Sequence, residues 1–182
     1  MNKQDLIRHL NTKSGLISFY HYNNKIDDVS DLLDDEFLLS NFNKNYIFMG
    51  LNPSRNLRGD YTNFHDSGKR SKDKRLREIL LRFPQFECCL MMDLYSVVNP
   101  DSLQIKNKEE DVRNTLNYLK PLLDGGSKII AIGTKVFKEL SKKKYALIPN
   151  KNLFYMPHYS QGVLPSKEWQ KRIEDCLKKA IQ

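Results

Sequence analysis

At 182 residues and 40% hydrophobic content, the chain suffices for one domain with a real core and is too short for two comfortable ones. No apolar run approaches the roughly 20 residues that cross a bilayer, and the opening MNKQDLIRHL holds no secretory-type apolar stretch, so a cytoplasmic protein is expected. The net charge of +8 favours polyanionic partners, nucleic acid first, beside the plainer reading of an ordinary basic protein.

The first forty residues carry helical patterning. KQDLIRHL sets Leu6 and Leu10 on one face with Ile7 beside them, and SDLLDDEFLL follows Ser30, a candidate N-cap. GLISFYHYNN between them is ambiguous. The stretch to about residue 44 reads as a helical lead-in to a single domain. NYIFMGL is then a short continuous apolar run, the mark of a strand covered on both faces. A polar loop from Asn52 to about Ser71 leads into SKDKRLREILLRF. This is a helix with Leu76, Ile79, Leu80 and Phe83 inside and basic residues outside.

CCLMMDLYSVV is the second buried strand, and NKEEDVRNTLNYLKPLL a helix closed by Gly125 and Gly126. SKIIAIG is the third strand, and TKVFKELSKK opens a helix at Thr134. NLFYMP is the fourth strand, and SKEWQKRIEDCLKKAI the final helix, capped by Ser166. Strands alternating with helices imply right-handed crossovers. The expected fold is a three-layer α/β/α sandwich around a four-stranded parallel sheet. Cys88, Cys89 and Cys176 form no metal-ligand spacing; Cys88 and Cys89 read as buried small hydrophobes, and the odd cysteine count fits a reducing compartment. No cofactor and no metal is expected.

In an open parallel sheet, ligands bind beyond the carboxyl ends of the strands. The residues at those ends are therefore the candidates. Gly50, Asn52, Pro53, Ser54 and Arg55 follow the first strand, and Asp93, Tyr95, Ser96 and Asn99 end the second. Gly133 and Thr134 end the third, and His158, Tyr159, Ser160, Gln161 and Gly162 follow the fourth. The long loop adds NFHDSGKR, with Phe64, His65, Asp66, Lys69 and Arg70. Gly50 permits a sharp turn or a close approach, and Pro53 fixes the turn while Asn52 points its amide at the rim. The blander alternative is an Asn-Pro turn that only ends a strand. His158 as a loop residue and Asp93 as a satisfied buried carboxylate are alternatives of the same kind.

GLNPS (Gly50–Ser54) and PHYSQG (Pro157–Gly162), each after a strand and in this order, resemble the early and late motifs of the uracil-DNA glycosylase superfamily. SKIIAIGTKVFKEL resembles its third strand and following helix, and the likeness spans about Tyr46 to Ser160. The resemblance implies a metal-independent, monofunctional DNA glycosylase, a hydrolase that flips a damaged, modified or mispaired base into a pocket. It implies that Asn52 holds the attacking water and that His158 bonds the carbonyl oxygen of the departing base. It further implies that Phe64 stacks on the extruded base, that Asp93 with Gly50 reads its edge, and that Ser160 contacts phosphate.

Ser54, Arg55, Arg58, Lys69 and Arg70 flank the rim as further phosphate contacts. His65, Asp66 and Tyr159 are auxiliary candidates. Three departures stand out: Asp93 replaces an Asn, Tyr159 replaces a Pro, and Gln161-Gly162 replaces a Pro-Leu wedge. An ionised Asp accepts but does not donate, which suits a base edge rich in donors better than uracil. DNA is the expected partner, in single- or double-stranded form, with the protein a monomer and in no contact with membrane. The alternatives are a hydrolase or transferase of free nucleosides or nucleotides, and a non-catalytic nucleic-acid-binding relative.

Overall fold

In chain order the elements are α1 (Lys3–Asn11), β1 (Ile17–Phe19), α2 (Asp35–Asn41), β2 (Asn43–Gly50), α3 (Asp73–Leu80), β3 (Cys89–Asp93), α4 (Glu109–Leu119), β4 (Lys128–Ile132), α5 (Thr134–Leu140), β5 (Leu153–Met156) and α6 (Lys167–Ile181). They come from a computed structural model that describes residues 2–21, 30–53, 61, 64, 73–99, 101, 105, 109–123, 126–145, 149–159 and 167–182. Among the described residues, no helix is long and apolar enough to cross a membrane.

The protein is α/β, and its sheet differs from expectation in one respect. It has five strands in the order β1-β3-β2-β4-β5, and it is mixed. The four expected strands are parallel to one another, but β1 lies antiparallel on the edge of β3, pairing Ile17 with Met92 and Phe19 with Leu90. β1 comes from the ambiguous GLISFYHYNN, inside the stretch expected to be helical. Three residues are too few to show a period, and the central Ser18 is fully buried. Its hydroxyl is accommodated there by donating to the Tyr61 carbonyl at 2.7 Å.

The local signals explain most other boundaries. Asn2 caps α1 by accepting from the Asp5 N–H at 2.8 Å. α2 is capped by Asp34, which accepts from Glu36 and Phe37, and not by Ser30, which instead opens a single 3₁₀ turn (Ser30–Leu33). The proposed cap Ser166 and the terminating Gly125 lie outside the described residues.

Each buried strand divides its side chains between two cores. Ile47, Met49, Leu90, Met92, Ile129 and Ala131 join α1, α2, α4 and α5 on one face. Phe48, Cys89, Met91, Ile130, Ile132 and Met156 join α3 and α6 on the other. Helices thus cover both faces, which is why these strands read as unbroken apolar runs rather than alternating ones.

The connections set the location of the site. From β2 the chain moves one way through α3 on the second face to reach β3. From β3 it returns through α4 on the first face to β4, and continues through α5 to β5. Direction and face reverse together, so all three crossovers share one hand, as expected for parallel units. The loops leaving β2 and β4 therefore diverge to opposite faces, and the crevice between them is the topological switch point.

Candidate active site at the carboxyl rim of the sheet

Asp93 ends β3 level with Gly50, its partner across the parallel ladder. A Cβ built on Gly50 would lie 2.2 Å from Asp93 Oδ1 and 3.2 Å from Phe64 Cζ. Close approach, not a turn, is thus what requires glycine here: the carboxyl and the ring tip rest on its bare α-carbon. Gly50→Ala is expected to cost about 1–3 kcal/mol by overpacking. Urea midpoints of Gly50→Ala, Asp93→Ala and the double variant check this. Shortening Asp93 should relieve most of the penalty, whereas simple additivity would show that the two do not touch.

Phe64 reaches this position at a backbone cost. Its φ is +65°, a left-handed conformation that aromatic residues rarely adopt. Arg77 holds it there, its Nη1 donating to the Phe64 carbonyl at 2.5 Å. Arg77 lies on α3, whose basic residues were expected outside, yet it is only 1% exposed. A buried guanidinium keeps its charge and must be hydrogen-bonded, so it suits anchoring a strained loop from below.

On the other side of the crevice, Gly133 takes a φ of +90° between β4 and α5, and its N–H donates to the Met156 carbonyl at 2.8 Å. The His158 side chain packs over it, with Cβ and Cδ2 3.6 and 3.7 Å from where a Cβ on Gly133 would be. The half-buried imidazole is stacked on the Tyr159 ring, with centroids 4.9 Å apart and planes 20° apart. Tyr159 is itself buried and donates its hydroxyl to Asp73 Oδ1, on the first turn of α3, at 2.9 Å. Tyr159 thereby fixes one face of His158.

Met49, Ala131 and Tyr155 form one registered row across β2, β4 and β5. Asn52 and His158 each stand three residues beyond that row, at the same end of the sheet. The strands carrying them are two positions apart, about 10 Å. Asn52 departs from expectation in how it faces the rim. Its Nδ2 donates to the backbone carbonyls of Asn99 at 2.7 Å and Pro53 at 2.9 Å, with Val97 at 3.3 Å. An amide nitrogen has two protons, and both are committed to backbone carbonyls, one to the neighbouring Pro53 and one tying down the segment after β3. Any ligand must therefore be met through Oδ1, an acceptor suited to a water proton.

Asp93 was expected to be ionised and acceptor-only. Burial, then the negative charge of Asp73, pushes its carboxyl up from the ordinary 3.8 to about 8. At neutral pH it is protonated, with one donor and one acceptor side by side, the same pattern as an Asn side-chain amide.

The structure therefore brings Gly50, Phe64, Asp93, Arg77, Asp73, Tyr159, His158 and Gly133 to one rim, with Asn52 at the same end. Arg77 and Asp73 were not among the sequence candidates, because a basic and an acidic residue on an amphipathic helix both read as solvated. Ser54, Arg55, Arg58, His65, Asp66, Lys69, Arg70 and Ser160 lie outside the described residues. No family model, curated protein or solved structure matches the chain.

Proposed function

We propose that this protein is a DNA glycosylase of the uracil-DNA glycosylase type, hydrolysing the bond between a flipped-out base and its deoxyribose. The observation that carries the reading is the apposition at the rim: a neutral carboxyl and an aromatic ring resting on Gly50, across the switch-point crevice from an imidazole resting on Gly133. These are the groups needed to hold one nucleobase. The motif order GLNPS…PHYSQG at the carboxyl ends of β2 and β5 supports the reading; the sheet itself is a five-stranded mixed one, not the four-stranded parallel sheet expected for that family.

In this reading the target base leaves the helical stack and lies against Phe64. The Asp93 carboxyl matches a pyrimidine edge that presents one donor beside one acceptor. This restores carbonyl-bearing bases, uracil among them, to the candidate substrates. As the C1′–N bond lengthens, the sugar becomes cationic and the base anionic. His158 donates an N–H to the base oxygen where that charge collects. Asn52 Oδ1 accepts a hydrogen bond from the water that adds to C1′ and so orients it; that water's proton passes to solvent, and the base departs with its bonding electron pair and takes up a proton from solvent. The chemistry needs no cofactor. The +8 charge supplies the long-range attraction to phosphate.

A panel of end-labelled oligonucleotides, single- and double-stranded, tests the reading. Each carries one uracil, hypoxanthine, modified cytosine or mismatch, and alkali-labile breaks are scored after incubation. A break at one class of base is expected. Release of base from free nucleosides but from no oligonucleotide would favour the nucleoside hydrolase instead, and release from neither would remove the enzymatic reading.

A further inference from the structure

The opposite end of the sheet holds a second cluster, independent of the glycosylase reading. His21, just beyond β1, is 6% exposed. Its Nδ1 lies 2.6 Å from Glu87 Oε1, and its Nε2 lies 3.0 Å from Asp31 Oδ2. Cys88 Sγ is 3.9 Å from the same Nδ1 and 4.0 Å from Glu87 Oε1. The nitrogen, oxygen and sulfur all fall within 4.8 Å of one another.

Consecutive residues of an extended chain point to opposite sides, so Glu87 and Cys88 should not share a partner. They do so because Cys88 has a φ of +52°. That conformation costs a non-glycine residue about 1–2 kcal/mol. It is held on both flanks: the Cys88 N–H donates to Tyr20 at 2.6 Å, and its carbonyl accepts from Asn43 at 3.0 Å. The ring of Phe37 closes one side of the imidazole, with centroids 4.8 Å apart.

We propose that His21 Nδ1, Glu87 Oε1 and Cys88 Sγ bind a divalent transition-metal ion of the zinc class, with Asp31 accepting the Nε2–H. Nitrogen, oxygen and thiolate are the donors such an ion takes. An imidazole whose second N–H goes to a carboxylate is the usual outer arrangement around it. Tetrahedral zinc would place its ligand atoms roughly 3.6 Å apart where sulfur is involved and roughly 3.3 Å for nitrogen to oxygen. The two sulfur spacings need to close by about 0.3–0.4 Å and the nitrogen–oxygen spacing to open by about 0.7 Å. Cys88 binds as thiolate, its proton passing to solvent. Three protein ligands leave a fourth position for water. The ion ties β1 and the Ser30–Leu33 turn to the start of β3, and its role is structural.

Cobalt(II) titration of the chelator-treated full chain reads the site directly. One equivalent should bind with a thiolate-to-cobalt charge-transfer band, and zinc should displace it. Cys88→Ser should abolish the band, Cys176→Ser should leave it unchanged, and Glu87→Gln should weaken affinity by about tenfold or more. Should Cys88→Ser fail to fold, the half-exposed Glu87→Gln keeps the test alive: zinc should raise the unfolding midpoint of wild type and not of that variant. No saturable binding at one equivalent, or a zinc-induced shift equal in both proteins, would overturn the site and leave His21 as a structural histidine hydrogen-bonded to Glu87 and Asp31.

Discussion

His158→Ala is expected to lower the rate of base release by about 10²–10³-fold, the usual effect of deleting one donor to a developing oxyanion. The loss should fall on kcat rather than on DNA affinity, because the base oxygen carries its full charge only as the bond breaks. The urea midpoint should hardly move, since the ring is half-buried at the rim. His158→Gln separates two roles. Gln supplies a neutral N–H and should recover part of the rate if His158 acts as a hydrogen-bond donor. If His158 transferred a proton, Gln would recover none of it. Asn52→Ala should also lose base release, but with a stability cost of about 1–3 kcal/mol, because the Asn99 and Pro53 carbonyls lose their donor. An Asn52→Ala protein of unchanged stability would contradict the clamp described for it. A fully active His158→Ala would remove the imidazole from the chemistry.

The second large effect concerns Asp93. Its carboxyl has a folded-state pKa of about 8 against an ordinary 3.8. Between those values the native protein holds a proton that the unfolded chain has released, so wild-type stability falls as pH rises. For one proton the slope approaches about 1.4 kcal/mol per pH unit, near 2.7 kcal/mol between roughly pH 5 and 7. Asp93→Asn keeps the shape, cannot ionise and should lose that dependence. The variant should be the more stable protein at pH 7–9 and lose the advantage near pH 4. Parallel pH profiles of the two urea midpoints would show that Asp93 is ionised in the native state. Activity should follow a related course. On a base that presents a carbonyl, wild-type release should decline above about pH 8, where the carboxylate repels that oxygen, while Asp93→Asn should not show this decline.

The parts of the fold that could be read in the sequence follow from burial. NYIFMGL, CCLMMDL, SKIIAIG and NLFYMP are apolar without interruption because both faces are covered, and each lies within a strand or overlaps one closely. β1 could not be read that way. It pairs along one edge, is three residues long and places Ser18 in its centre, where the distant Tyr61 carbonyl makes the hydroxyl acceptable. At the rim, Gly50, Asn52, Asp93 and His158 could be found because strand ends are where polar residues interrupt apolar runs. Their states could not be read. Asp93 is neutral because it is buried and, secondarily, because of the negative charge of Asp73. Phe64 is fixed by Arg77, thirteen positions on, which an amphipathic reading assigns to solvent. Sequence position shows which groups reach a rim, but charge state and rotamer depend on neighbours brought there by folding.

The most direct test is to follow the Asp93 carboxyl carbon by ¹³C NMR through a pH titration, with and without free nucleobase. A midpoint near 8 that moves when a pyrimidine is added is the expected result. A midpoint near 4, indifferent to every base, would contradict a neutral carboxyl waiting at the floor of a nucleobase pocket.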